Sequence, residues 1–289
     1  MANLPKGLSS IFTISRLLGL MPVTSAFTVS KRWFIISIII YLPLSLFDLA
    51  HLFIMYTNLP ESYDNFKKFI IVMSGIYCNI STLCYLLTLI LKINILKQVL
   101  LKMEKLEGKE EKILNLSMIW FTFLDFYLVF NTVTMFGIFT TLYCNNFKII
   151  FKMICHIVQY FRSIMIIYLY CLITRFAGSA VGQLKKTLRP SVHQVLCKLR
   201  GFNETVLLIQ LNNEFFSCQT LLIAVRSVVM STLRLYKIFY MYRNNWEFNA
   251  LQVTLEILDP IGTIVWLLAY SASVSYFMNS VSICYKEYI

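Results

Sequence analysis

The stretch FIIVMSGIYCNISTLCYLLTLIL, Phe69–Leu91, runs for 23 residues without a charged side chain. A hydrocarbon layer about 30 Å thick is crossed by about 20 apolar residues in helical conformation, so this run reads as a membrane span. Working outward, five further stretches have the same character: Trp33–Tyr56, Met118–Phe139, Met153–Ile173, Leu221–Tyr242 and Ile257–Phe277. The fifth and sixth of the six carry charges. Composition agrees, since 58% of the 289 residues are hydrophobic and only 14% are charged, against about 25% in soluble domains. The chain is therefore read as an all-α polytopic membrane protein, one transmembrane helical bundle over 1–289 with a cytoplasmic helical extension at 174–220.

Charge sets the orientation. Lys and Arg collect on cytoplasmic loops. The N-terminal stretch (Lys6, Arg16, Lys31, Arg32), the second connection (Lys92 to Lys112), the fourth (Arg175 to Arg200) and Lys286 together hold seventeen basic residues, and the opposite side holds five. The N-terminus is expected in the cytoplasm. The net charge of +12 is thereby a topology signal, and no nucleic-acid partner is implied because the basic residues lie between apolar runs rather than on one basic domain. Arg16 interrupts the only apolar stretch that could resemble a signal peptide. A short amphipathic helix on the membrane surface, from Ile11 to Leu20, fits better. In the fourth connection Leu184, Leu188, Val192, Val195 and Leu199 recur at threes and fours, which predicts helices. Pro190 punctuates them, and Gly201 is the expected end of one helix.

Ionisable groups at membrane depth cost about 2.5–3.5 kcal/mol each on insertion scales and therefore face cavities or partners. Asp48 and His51 lie in the first span, Asp125 in the third and Asp259 in the sixth. The fourth carries Lys152, His156, Gln159 and Ser163 at spacings of four, three and four, a polar helical face bordered by Arg162. Arg226, Arg234 and Lys237 mark the fifth. One reading is a ligand cavity between the fourth and fifth spans, open to the outside, with His156, Gln159, Arg162 and Arg234 hydrogen-bonding and Tyr240 and Trp266 as apolar walls. The other is structural, with Asp125 or Asp259 neutralising Arg162 or Arg234 between packed helices. Asp48, Asp125 and Asp259 are the candidate intramembrane charge partners. Gly178 and Gly182 form a G-x-x-x-G, best read as close helix packing. The eight Cys show no zinc-ligand spacing, and the three His are too scattered for a metal site. No phosphate-cradling, nucleophile-elbow or H-E-x-x-H motif occurs. Neither an enzyme nor a bound cofactor is expected.

The phrase Ser15-Arg16-Leu17-Leu18-Gly19-Leu20-Met21-Pro22 resembles the opening of insect gustatory receptors. Tyr168-Leu169-Tyr170-Cys171-Leu172-Ile173-Thr174-Arg175-Phe176, followed by Leu184, is similar to that family's long fourth helix. Leu211, Asn212, Asn213, Phe215 and Phe216, leading into a fifth span that ends at Tyr242, are family-like as well. The resemblance covers nearly the whole chain through loose motifs, and is better than that to insect odorant receptors. It implies an inverted heptahelical chemoreceptor fold, in the plasma membrane of a sensory neuron. It implies a homo- or hetero-tetrameric ligand-gated cation channel that binds a small-molecule tastant in the outer half of each subunit. Cytoplasmic helix extensions would join the subunits. The family's seventh, pore-lining span and its Thr-Tyr…Gln-Phe signature are not found before Ile289, so the expectation is six spans of the seven. A secondary transporter is the second class, disfavoured because the two halves do not match: Pro43 in the first span has no counterpart in the fourth. A G-protein-coupled receptor would need the opposite orientation.

Overall fold

The computed structural model describes residues 29–57, 65–107, 165–182, 192–243 and 250–288, together with Arg16 and Pro22. Regular structure in these residues is almost wholly helical. Helices α1 (Lys31–Thr57) and α2 (Asn65–Leu91) pack against each other. Pro43 lies inside α1 and removes one amide donor, yet the helix continues to Thr57. The pair is pinned where Tyr41 and Tyr85, both fully buried, meet edge to face at 6.2 Å between ring centroids. Before α1, the Ser30 amide donates to the Pro22 carbonyl at 2.7 Å, and the Arg16 guanidinium lies 5.4 Å from the centre of the Trp33 ring. Otherwise the expected surface helix at Ile11–Leu20 lies outside the described residues.

At Lys92 the chain bends by 71° into α3 (Ile93–Glu107). The Lys92 amide donates to the Thr88 carbonyl at 2.8 Å and its carbonyl accepts from the Ile95 and Leu96 amides at 3.0 and 3.1 Å, so this one residue between the helices ends the first and starts the second. Leu96, Val99, Leu100 and Met103 recur at the helical interval and are buried, while Lys97, Gln98 and Leu101 face outward. That stripe packs α3 on α5 (Val192–Arg243). Two lysines read from sequence as orientation signals also tie these helices. Lys92 Nζ donates to the Glu214 carbonyl at 2.6 Å, and Lys102 pairs with Glu204.

Helix α4 (Met165–Gly182) is the central element, with 83% of its residues buried. It is flanked by α5 and by α6 (Ala250–Tyr288). Gly178 permits a close approach of α6: a Cβ there would stand 2.9 Å from Tyr276 Cδ1 and 3.1 Å from the Phe277 Cα. A Cβ on Gly182 would meet nothing within 4 Å, so among the described residues the first glycine of the G-x-x-x-G is the one that serves packing.

The helix end expected at Gly201 is not there. Helix α5 runs unbroken for 52 residues through it. A mid-helix glycine costs about 1 kcal/mol relative to Ala, and the buried stripe of Thr205, Leu208, Asn212, Phe215, Phe216 and Ile223 offsets that with tertiary packing. Thr205 Oγ1 also donates to the Gly201 carbonyl at 2.9 Å, satisfying its hydroxyl within the helix.

Among the described residues two helices are long and apolar enough to cross a membrane, α4 over Met165–Gly182 and α5 over Leu196–Tyr236. Leu83–Leu91 with Ile93–Met103 makes a third if the bent pair counts as one span. Phe53, Leu91, Leu221 and Leu268 stand exposed on four different helices. Water-facing surfaces rarely carry such residues in contiguous patches, whereas lipid or a protein partner accommodates them.

Candidate functional site

A cleft of about 800 Å³ lies where α4, α5 and α6 meet, within the size range of small-molecule sites. Helix α4 contributes Ile167 and Tyr170. From α5 come Asn213, Ser217, Thr220, Leu221, Ala224 and Ser227, at the threes and fours that keep side chains on one helical face. Helix α6 closes the cleft with Leu267, Tyr270, Ser271, Val274 and Ser275.

The three helices are joined beside the cleft by hydrogen bonds and stacked rings. Tyr170 stacks on Tyr270 with centroids 5.0 Å apart and planes 16° from parallel, and its ring meets Phe216 edge to face at 6.3 Å. The Tyr170 hydroxyl donates to Asn213 Oδ1 at 2.8 Å. Behind it, Asn212 is fully buried and its Nδ2 reaches the Tyr170 carbonyl at 3.4 Å and Thr174 Oγ1 at 3.3 Å. Arg175 Nε donates to Ser273 Oγ at 3.1 Å. Contacts from α4 to each neighbour thus combine a ring contact, edge to face with α5 and stacked with α6, with polar bonds, and the latter fix the axial register as well as the spacing. Some buried polarity on the same helices is unmet: both amide atoms of Gln219 and Oδ1 of Asn212 have no hydrogen-bond partner.

Among the described residues no charged side chain lines the cleft. An ion entering such a site would be desolvated without a counter-charge, a cost of several kcal/mol. An uncharged ligand would not meet that cost. Among the described residues no three His, Cys, Asp or Glu come together as a metal-ligand group.

The residues singled out from sequence fall differently. His156, Gln159, Arg162 and Asp125 lie outside the described residues. Arg234 is half-buried on α5, seven residues past Ser227 and so about 10 Å farther along the helix. Tyr240 lies on the same helix, six residues beyond Arg234. Trp266 and Asp259 lie on α6, with Trp266 next in sequence to Leu267 of the cleft wall, and Asp48 lies on α1. The observed cleft thus lies between helices α4, α5 and α6, which overlap the fourth, fifth and sixth expected spans, and of the six sequence-derived residues Arg234, whose side chain is described, does not line it. The cleft serines carried no signal by type alone, because serine in an apolar helix ordinarily bonds its own backbone. Their recurrence, with Ser271 and Ser275 four apart and Ser217, Thr220, Ala224 and Ser227 on one face, is the pattern that marks them.

No family model, curated protein or solved structure matches this chain.

Proposed function

We propose that the chain is a membrane-embedded receptor subunit for uncharged small molecules, built on the plan of the insect gustatory receptors. On this reading it has six spans, a cytoplasmic N-terminus and a place in the plasma membrane. It is a subunit of a homo- or hetero-tetrameric ligand-gated cation channel, and the pore-lining seventh span of that plan is not among these six. The observation that carries the reading is the cleft of about 800 Å³ between three helices, with no charged side chain among its described lining residues, two of the helices being long and apolar enough to cross a membrane. Ligand in the cleft would touch α4, α5 and α6 at once, so its occupancy can bias how they pack. The residues His156, Gln159, Arg162, Arg234, Tyr240 and Trp266 are proposed to line a vestibule on the outer side of this cleft. Asp48, Asp125 and Asp259 are proposed as charge partners within the bundle.

The test is ligand-evoked calcium entry in cells expressing the chain, alone and with gustatory-receptor subunits. Panels of neutral and of charged tastants are compared. A response to neutral compounds that is weakened by Ala224→Phe, which fills the cleft, is the expected result. Responses confined to charged compounds, or indifferent to filling the cleft, would sink the reading.

A further inference from the structure

Among the described residues many hydroxyl groups are closed on their own backbone. Thr88, Thr174, Thr205 and Thr232 each donate to the carbonyl four residues earlier, at 2.7–2.9 Å. Ser37, Ser273 and Ser280 do the same at 2.8–2.9 Å, and Thr220 bonds Phe216 at 3.1 Å. This is how a hydroxyl is satisfied where water is scarce. Ser217, Ser227, Ser271 and Ser275 make no such bond, and all four line the cleft. Ser45, Ser179 and Ser282 also lack it, but they lie on three different helices. Among the described residues the four cleft serines share one cavity, whereas the other three are dispersed.

Their placement describes a ligand. Ser217 and Ser227 are ten residues apart, about 15 Å along α5. Leu221, Ala224 and Leu267 form apolar wall in the same cleft. A single-headed lipid puts all its polarity at one end and would leave some of these hydroxyls unmet. We propose that the cleft binds an elongated, uncharged molecule with an apolar frame and a hydroxyl or carbonyl oxygen near each end, the chemistry of a hydroxylated steroid, taken up from the lipid phase. The proposal rests on the membrane-receptor reading for its setting and deepens it by naming the ligand class. Two observations independent of the serines agree with an uncharged ligand that has a flat face. The stacked Tyr170 and Tyr270 rings offer a flat surface, and no charged side chain among the described lining residues would meet an anionic lipid headgroup.

The experiment uses the full chain purified into phosphatidylcholine nanodiscs and a tritiated sterol with one hydroxyl on the ring system and one on the tail. Saturable binding is expected, with cholesterol, which keeps only the ring hydroxyl, weaker by about fivefold for the one hydrogen bond lost. Ser217→Ala and Ser227→Ala should each weaken the dihydroxylated sterol by about the same factor, and Ser282→Ala should leave it unchanged. Alanine is well tolerated in helices, and retention of a single gel-filtration peak checks that each variant is folded. No saturable binding, or equal affinity for both sterols in every variant, overturns the proposal. Sterol binding in a protein that never conducts would uphold this site and end the channel reading. Evoked currents without sterol binding would do the reverse.

Discussion

Replacing Gly178 by alanine tests the packing of the central helix directly. The new Cβ would lie 2.9 Å from Tyr276 Cδ1, 3.0 Å from Cε1 and 3.1 Å from the Phe277 Cα. The tyrosine ring is partly exposed and can swing aside, but the Phe277 contact is backbone and yields only if α6 moves. Overpacking of this kind costs about 1–3 kcal/mol. Alanine also gains about 1 kcal/mol over glycine in helix propensity, so the net loss for Gly178→Ala is about 0–2 kcal/mol. Gly182→Ala supplies the control, since its Cβ meets nothing within 4 Å. The propensity gain is shared, and the difference between the two variants isolates the steric term. At about 2–4 °C per kcal/mol for chains of 150–250 residues, Gly178→Ala should melt several degrees below Gly182→Ala. Thermal unfolding in detergent followed by size-exclusion chromatography measures both. Equal melting temperatures, or the reverse order, would refute the close approach of α4 and α6.

Tyr170→Phe keeps the stack on Tyr270 and removes only the bond to Asn213, costing about 0.5–1.5 kcal/mol; Tyr170→Ala also loses the rings and leaves a cavity, costing about 3–5 kcal/mol. Comparing their melting temperatures separates the two contributions. Gln219→Leu should stabilise the protein by about 1–3 kcal/mol, because its buried amide has no hydrogen-bond partner and its neighbours one turn away, Phe215 and Ile223, are apolar; a lower melting temperature would mean the amide is satisfied after all. The Lys102–Glu204 pair, at 18% and 31% side-chain exposure, is worth no more than about 1 kcal/mol. Lys102→Met should therefore have a small effect that shrinks further in high salt.

Apolar content and helical periodicity made the helical character legible, and the uncharged run to Leu91 located the end of α2 at the same residue. The bend after it was not legible. Lys92 reads as an ordinary flanking charge, and only the Glu214 carbonyl, 122 positions away in sequence, explains what it holds. Gly201 misled for a related reason: local propensity favoured a stop, while the stripe from Thr205 to Ile223 that carries the helix onward acts through neighbours unseen in the sequence. For the candidate site, charge drew attention to His156, Arg162 and Arg234, since an ion at depth is costly and conspicuous. The cleft serines are neither costly nor conspicuous. Whether a serine hydroxyl is closed on its backbone or left open depends on its rotamer and surroundings, and sequence specifies neither.

The 52 residues of α5 have a mechanical consequence. At 1.5 Å per residue the helix is about 78 Å long, against about 30 Å for a hydrocarbon layer. If it crosses such a layer, about 48 Å of it must project as an outboard arm. With the fulcrum at the membrane face, a tilt of about 10° would sweep the tip of a 48 Å arm through about 8 Å, comparable to a helix–helix spacing of 8–10 Å. Lys92 and Lys102 grip this rod at Glu214 and Glu204, so α3 would travel with it. Any repacking of the cleft that tilted α5 by this angle would displace the far end of the arm far enough to break one contact surface and make another.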